Sequence, residues 1–164
     1  MKKFYLILMA TLVMTGVGCS DKDEKSEQTA EARLTKLSQS ECKTNGTDTR
    51  AGGETNSLTS LYGEQSIDYT FSGGVLQLTH INAVYGCDAE DVGVSAKVQG
   101  NVIVVTEENL QSLANCVCPI DLGYKVAPLN VGKYTVVVMR GTLELVRFAV
   151  ELKEGVKGNV LIGE

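Results

Sequence analysis

The chain has no tryptophan, one histidine and two prolines among 164 residues, and aromatic side chains make up only 5% of it. Each shortage excludes something. Without tryptophan and with few other rings, a glycan site built on aromatic stacking lacks its material. His80 would have to carry nearly all acid–base, triad or zinc-hydrolase chemistry alone, so an enzyme is the least supported class of function. Positive charge is also short, with 15 Lys and Arg against 20 Asp and Glu. Beyond the N-terminus no stretch is long and uniformly apolar, which argues against a membrane-binding helix in the body of the chain.

What is present begins with a leader. Met1-Lys2-Lys3 is a short basic head, and Phe4 to Met14 is apolar except for Thr11. Spanning a bilayer takes about 20 apolar residues; this shorter run, followed at once by polar sequence, reads as a signal peptide over residues 1–18. Thr15-Gly16-Val17-Gly18-Cys19 places two small residues before a cysteine and resembles the lipobox of bacterial lipoproteins, in which the cysteine is acylated and becomes the first residue. Gly16 stands where leucine is commonest, and Gly16-x-Gly18 also fits ordinary secretory cleavage. Lipidation at Cys19 is the favoured reading, with acyl chains such as palmitate holding the protein to a membrane. Ser20-Asp21-Lys22-Asp23-Glu24 resembles the export tract of Bacteroides-type surface lipoproteins, so the expected location is the outer membrane, facing outward. Removing Lys2 and Lys3 with the leader leaves thirteen bases against twenty acids, a formal −7. That balance opposes phosphate backbones, and nucleic acid is excluded as a partner.

Residues 19–56 are polar and read as a lipidated N-terminus and flexible tether. Ala30, Leu34 and Leu37 would share one face of a short helix over Glu27 to Gln39, but so few apolar groups do not offset ordering entropy, and a spacer is preferred. Residues 57–164 read as β-structure. Candidate strands are Ile67–Phe71, Val75–Val84, Leu122–Leu129, Lys133–Met139 (the most apolar, expected to be central), the alternating Val146–Leu152 and an edge strand at Val160–Ile162. Between them, Val92 to Glu107 predicts a hairpin turning at Gly100-Asn101, with Val98 opposite Ile103 and Ala96 opposite Val105. Seven or eight strands with tight turns and no helical crossover indicate an all-β fold, an antiparallel β-sandwich of immunoglobulin-like size. Such a fold narrows function little.

With Cys19 set aside, Cys42, Cys87, Cys116 and Cys118 form an even set in an oxidising compartment, the expected signature of disulfides. If Cys116 and Cys118 lie on a strand, their Cα atoms would be about 6.6–6.8 Å apart, at the edge of what a bridge spans. Each should then reach a different partner, Cys42 or Cys87. Cys87–Cys116 with Cys42–Cys118 is slightly preferred, and the swap stays open. The sharper alternative is a zinc site from His80, Cys87, Cys116 and Cys118. On an unbroken strand His80 and Cys87 point to opposite faces, and Cys-x-Cys is a loose motif beside paired zinc knuckles, so no metal is assigned. A redox role for Cys116-Val117-Cys118-Pro119 lacks a thioredoxin-like context.

The run Leu76 to Asn82 with His80 inside it, Gly86-Cys87, Asn101-Val102-Ile103, Glu107, Cys116-x-Cys118-x-x-Asp121-Leu122 and Gly132-x-Tyr134 resembles small surface lipoproteins of Bacteroides and relatives over about residues 40–150. Asp88 and Ala114 stand where that pattern would carry further cysteines. The resemblance implies a disulfide-bearing β-domain on the envelope and supplies no activity.

The function these features favour is a non-catalytic binding module on a lipid anchor, with a protein or carbohydrate ligand. Zinc binding and protease inhibition are the alternatives. Asp88, Glu90, Asp91, Glu107 and Glu108 could supply a carboxylate pair for glycoside chemistry, but acid-rich turns beside a hairpin are expected to be solvated loops. No glycine loop of the phosphate-cradling kind occurs and no cofactor is expected.

Overall fold

The computed structural model describes residues 31–43, 62–108 and 110–163. The leader, Cys19 and the acidic tract behind it lie outside them. Nine strands run in chain order: β1 Arg33–Gln39, β2 Ser66–Ser72, β3 Val75–Gly86, β4 Val94–Gln99, β5 Val102–Glu107, β6 Val117–Ala127, β7 Gly132–Arg140, β8 Leu143–Leu152 and β9 Lys157–Leu161. They form a five-stranded sheet ordered β1-β6-β3-β2-β9 and a four-stranded sheet ordered β4-β5-β7-β8. The all-β class read from the sequence is what the chain adopts.

Alternation explains the two layers. Ile67 and Phe71 on β2, Leu76 and Leu78 on β3, and Leu122, Tyr124 and Val126 on β6 turn one face of the first sheet inward. Ile103 and Val105 on β5, Val136 and Val138 on β7, and Val150 and Leu152 on β8 answer from the second, and all join one buried cluster. At roughly 25 cal/mol per Å² of apolar surface removed from water, this interlayer is the main favourable term for the fold.

The turns follow the glycines. Gly73 and Gly74 both take positive φ between β2 and β3, and Gly100 does so between β4 and β5. The β4–β5 hairpin has the expected register, Val98 opposite Ile103 and Ala96 opposite Val105. β7 is an inner strand and β9 an edge.

Three readings change. Nine strands are described where seven or eight were expected. The pairing is not wholly antiparallel, because β5 and β7 run parallel with Val102 beside Thr135 and Glu107 beside Arg140. A parallel pair needs a crossover, and β6, lying in the other sheet, supplies it. Finally, residues 33–39 of the polar segment are a strand, neither spacer nor helix. β1 pairs antiparallel with β6 from Arg33–Ala127 to Gln39–Leu122. Only Leu34 of this stretch, with Ala32 just before it, packs on the core; the rest is held by polar bonds. Lys36 Nζ donates to the Val92 carbonyl at 2.9 Å and pairs with Asp91, while Gln39 accepts from the Val92 amide at 2.9 Å and donates to the Ala89 carbonyl at 3.0 Å.

β6 also starts earlier than Leu122, with Pro119 inside it. The Pro119 carbonyl accepts from the Lys43 amide at 2.9 Å, beyond the end of the β1 ladder. The missing N–H of the proline faces that same side, where no regular ladder bond is lost.

Candidate functional site

Two places concentrate chemistry-bearing side chains. The first lies between the sheets. Glu107, the last residue of β5, continues the inward series Ile103, Val105, Glu107 and is 0% exposed, as is His80 on β3. His80 Nδ1 lies 2.9 Å from Glu107 Oε1. The Tyr124 hydroxyl donates to the same oxygen at 3.3 Å, and the Tyr85 hydroxyl donates to Oε2 at 3.2 Å. Arg140 ends β7 beside Glu107 in register; its guanidinium stacks 4.3 Å from the Tyr85 ring centre, and Nη2 stands 3.7 Å from Glu107 Oε2. Arg140 Nη1 donates across the layers to the Val84 carbonyl at 3.0 Å. A carboxylate of the second sheet is thus held by three side chains of the first, which satisfies a group that would be costly to bury alone.

A local irregularity makes this meeting possible. His80 and Tyr85 are five apart and would face opposite ways on a regular strand. The register of β3 against β6 shifts between His80 and Ala83, and Asn82 adopts φ of 55°. Asparagine tolerates this left-handed conformation better than most side chains. The Asn82 amide donates to Asp121 Oδ1 at 3.0 Å, and Lys43 Nζ donates to Asn82 Oδ1 at 2.9 Å, so the bulge is fastened from β6 and from the segment after β1. The shift returns Ala83 and Tyr85 to the inner face.

Burial pushes the Tyr124 and Tyr85 hydroxyls well above the usual tyrosine range, and the neighbouring Glu107 carboxylate pushes the same way. His80 Nε2 and Arg140 Nε and Nη2 are buried without a hydrogen-bond partner among the described residues. A carboxylate–imidazole pair is the orienting half of a nucleophilic triad. Here it is sealed from solvent and joined to two phenols, and among the described residues no serine or cysteine is bonded to the ring. These contacts fasten one sheet to the other.

The second place is the end of the first sheet where the cysteines gather. Cys42 bridges Cys118 and Cys87 bridges Cys116, each with Cα atoms 5.6 Å apart. This is the preferred pairing of the two left open by the sequence. The Cys87 amide also donates to the Cys116 carbonyl at 3.1 Å. The sulphurs of Cys42, Cys87 and Cys118 all lie within 4.8 Å of one another. They border a cleft of about 300 Å³ whose walls include Gln39, Glu41 and Glu90. His80 is not in this group, so the set His80, Cys87, Cys116 and Cys118 is not brought together. The bulge at Asn82 also interrupts β3 between His80 and Cys87, so the two residues are not related by the alternation of an unbroken strand.

The Cys87–Cys116 bridge fixes one end of the loop between β5 and β6, and Asp88 fixes its middle. The Asp88 carboxylate accepts from the Ser112 hydroxyl at 2.5 Å and from the Leu113 and Ala114 amides at 2.8 and 3.2 Å. The Ser112 bond and the Leu113 amide hold the Asp88 carboxyl below its ordinary range. Leu113, 95% exposed, projects from this pinned loop.

The acids proposed as a carboxylate pair are divided among unrelated tasks. Asp88 pins the loop, Asp91 meets Lys36, Glu90 borders the cleft, and Glu108 faces solvent beside buried Glu107. Glu107 therefore departs from the solvated loop expected for it. Its signal was available, because the period-two series of β5 runs through it, as that of β7 leads towards Arg140. No protein-family model, no curated protein and no solved structure matches the chain.

Proposed function

We propose that this protein is a lipoprotein of the bacterial cell envelope, attached through acyl groups on Cys19, whose disulfide-bonded two-sheet body is a non-catalytic recognition module for a protein or carbohydrate. The observation that carries the reading is the disposition of the cysteines. Cys42, Cys87, Cys116 and Cys118 are consumed in two bridges, so Cys19, which follows the basic and apolar leader, is the cysteine that the bridges do not use. Two bridges favour an oxidising compartment, and the tract behind Cys19 favours the outer face of the outer membrane. The likeness to Bacteroides-type surface lipoproteins points the same way.

Recognition is assigned to the loop carrying Leu113. A bridge and three bonds to Asp88 pre-organise it, which lowers the ordering cost of binding. The Leu113 amide is already donated to Asp88, so the loop does not offer that bond to a protease as an extended substrate would. Expressing the full chain and its Cys19→Ala variant with an alkyne-labelled palmitate tests the anchor. The account expects label and membrane sedimentation in the wild type and neither in the variant. Equal sedimentation of an unlabelled wild type would overturn it. Protease treatment of intact cells should remove the body if it faces outward.

A further inference from the structure

We infer that the two bridges form one thiol–disulfide exchange site, which accepts electrons from an external dithiol at Cys116 and passes them to Cys42. Cys87 and Cys116 are both exposed, so this bridge meets a reagent from solution, whereas Cys118 is 6% exposed and its bridge is half covered. Exposed disulfides are the labile and exchangeable class. The sulphur of Cys87 lies within 4.8 Å of those of Cys42 and Cys118, a little beyond sulphur–sulphur contact and within reach of a side-chain rotation. The cleft leaves open space on which these sulphurs border.

The steps balance. A thiolate of the dithiol attacks Cys116 Sγ; the Cys87–Cys116 bond breaks, a mixed disulfide forms at Cys116, and Cys87 leaves as a thiolate. Cys87 attacks Cys118 Sγ, forming Cys87–Cys118 and releasing Cys42 as a thiolate, which takes a proton from water. The second thiol of the reagent then attacks its own mixed disulfide, leaves as a cyclic or internal disulfide, and frees Cys116 as a thiol. Two electrons pass from the dithiol to Cys42 and Cys116, and the protein keeps one bridge throughout. The outcome cuts the covalent tie between the segment ending at Cys42 and the rest of the sheet. The inference stands on these four cysteines and not on Cys19, so its failure leaves the anchor untouched.

The test treats the oxidised full chain with one molar equivalent of dithiothreitol, quenches with acid, alkylates under denaturing conditions and maps linkages by tandem mass spectrometry. A Cys87–Cys118 linkage with alkylated Cys42 and Cys116 is the expected result. Opening of either original bridge with the other intact, and no Cys87–Cys118 linkage at any time point, would overturn it. A Cys87→Ser/Cys116→Ser variant adds a rate. Its Cys42–Cys118 bridge should open at least tenfold more slowly than Cys42 is freed in the wild type, and an equal rate would contradict the relay. If this variant does not fold, the wild-type linkage map decides alone.

Discussion

Tyr85 and Cys87 are two residues apart, and they belong to regions held together by opposite means. The Tyr85 hydroxyl ends in the enclosed cluster around Glu107, where every contact between the sheets is non-covalent. Cys87 stands on the surface, where a covalent bond closes the end of the sheet. The difference follows from solvent. Inside, a carboxylate with three donors gains from low dielectric and does not compete with water. At the exposed end, hydrogen bonds and ion pairs such as Lys36–Asp91 are worth little, whereas a disulfide acts on the unfolded chain and needs no burial.

The largest effect should come from removing the covalent side of this comparison. Chain entropy assigns about 4.5 kcal/mol to Cys42–Cys118, across its separation of 76 residues, and about 3.6 kcal/mol to Cys87–Cys116 across 29. Together these rival the whole stability of a typical small domain. Thermal melts in excess reductant should therefore show loss of the cooperative transition, and a shift of only a few degrees would refute that importance. Next comes the enclosed side. Glu107→Leu strands His80, Tyr85, Tyr124 and Arg140 and should cost about 3–5 kcal/mol in urea unfolding, whereas Glu108→Leu should stay within about 0.5 kcal/mol. Similar losses at both positions would erase the contrast.

The tyrosines give a pH signature that the bridges do not. Both hydroxyls are raised in the folded state, so the unfolded chain loses its protons first and unfolding releases protons as pH climbs past about 10. Their contribution is complete below that point and declines above it, by about 1.4 kcal/mol per pH unit for each tyrosine until the folded group titrates. Urea midpoints between pH 9 and 11 should fall accordingly, and Tyr124→Phe should remove about half of the slope. The smallest effect is at the bulge. Asn82→Ala should cost about 1–2 kcal/mol for its left-handed backbone, and Asn82→Gly less; since both variants lose the Lys43 bond, an equal or reversed order would mean that the left-handed conformation is not what limits this position.

Much of the fold could be read from residues because alternation is local. The hairpin register and the inward direction of His80 follow from period two, and the inner place of β7 from its unbroken run of valines, Val136 to Val138. β1 escaped because its attachments are polar and distant: Lys36 and Gln39 bind a segment about fifty residues on, which no count of apolar residues registers. Glu107 escaped for a related reason. A charge at the end of an apolar series looks like a strand terminus unless its donors are known, and those come from β3 and β6. The bulge had a faint mark in Asn82 between His80 and Ala83, but only the register against β6 reveals the shift in phase. The order of the bridges was undecided because Cys116 and Cys118 are too close in sequence to distinguish their partners.

The most direct test of the account is the intact mass of the mature protein extracted from cell membranes. The account predicts a chain beginning at Cys19, heavier by its acyl groups and lighter by the hydrogens lost to two bridges, with no cysteine open to alkylation. An unacylated N-terminus, or a chain that takes up alkylating reagent before reduction, would contradict it.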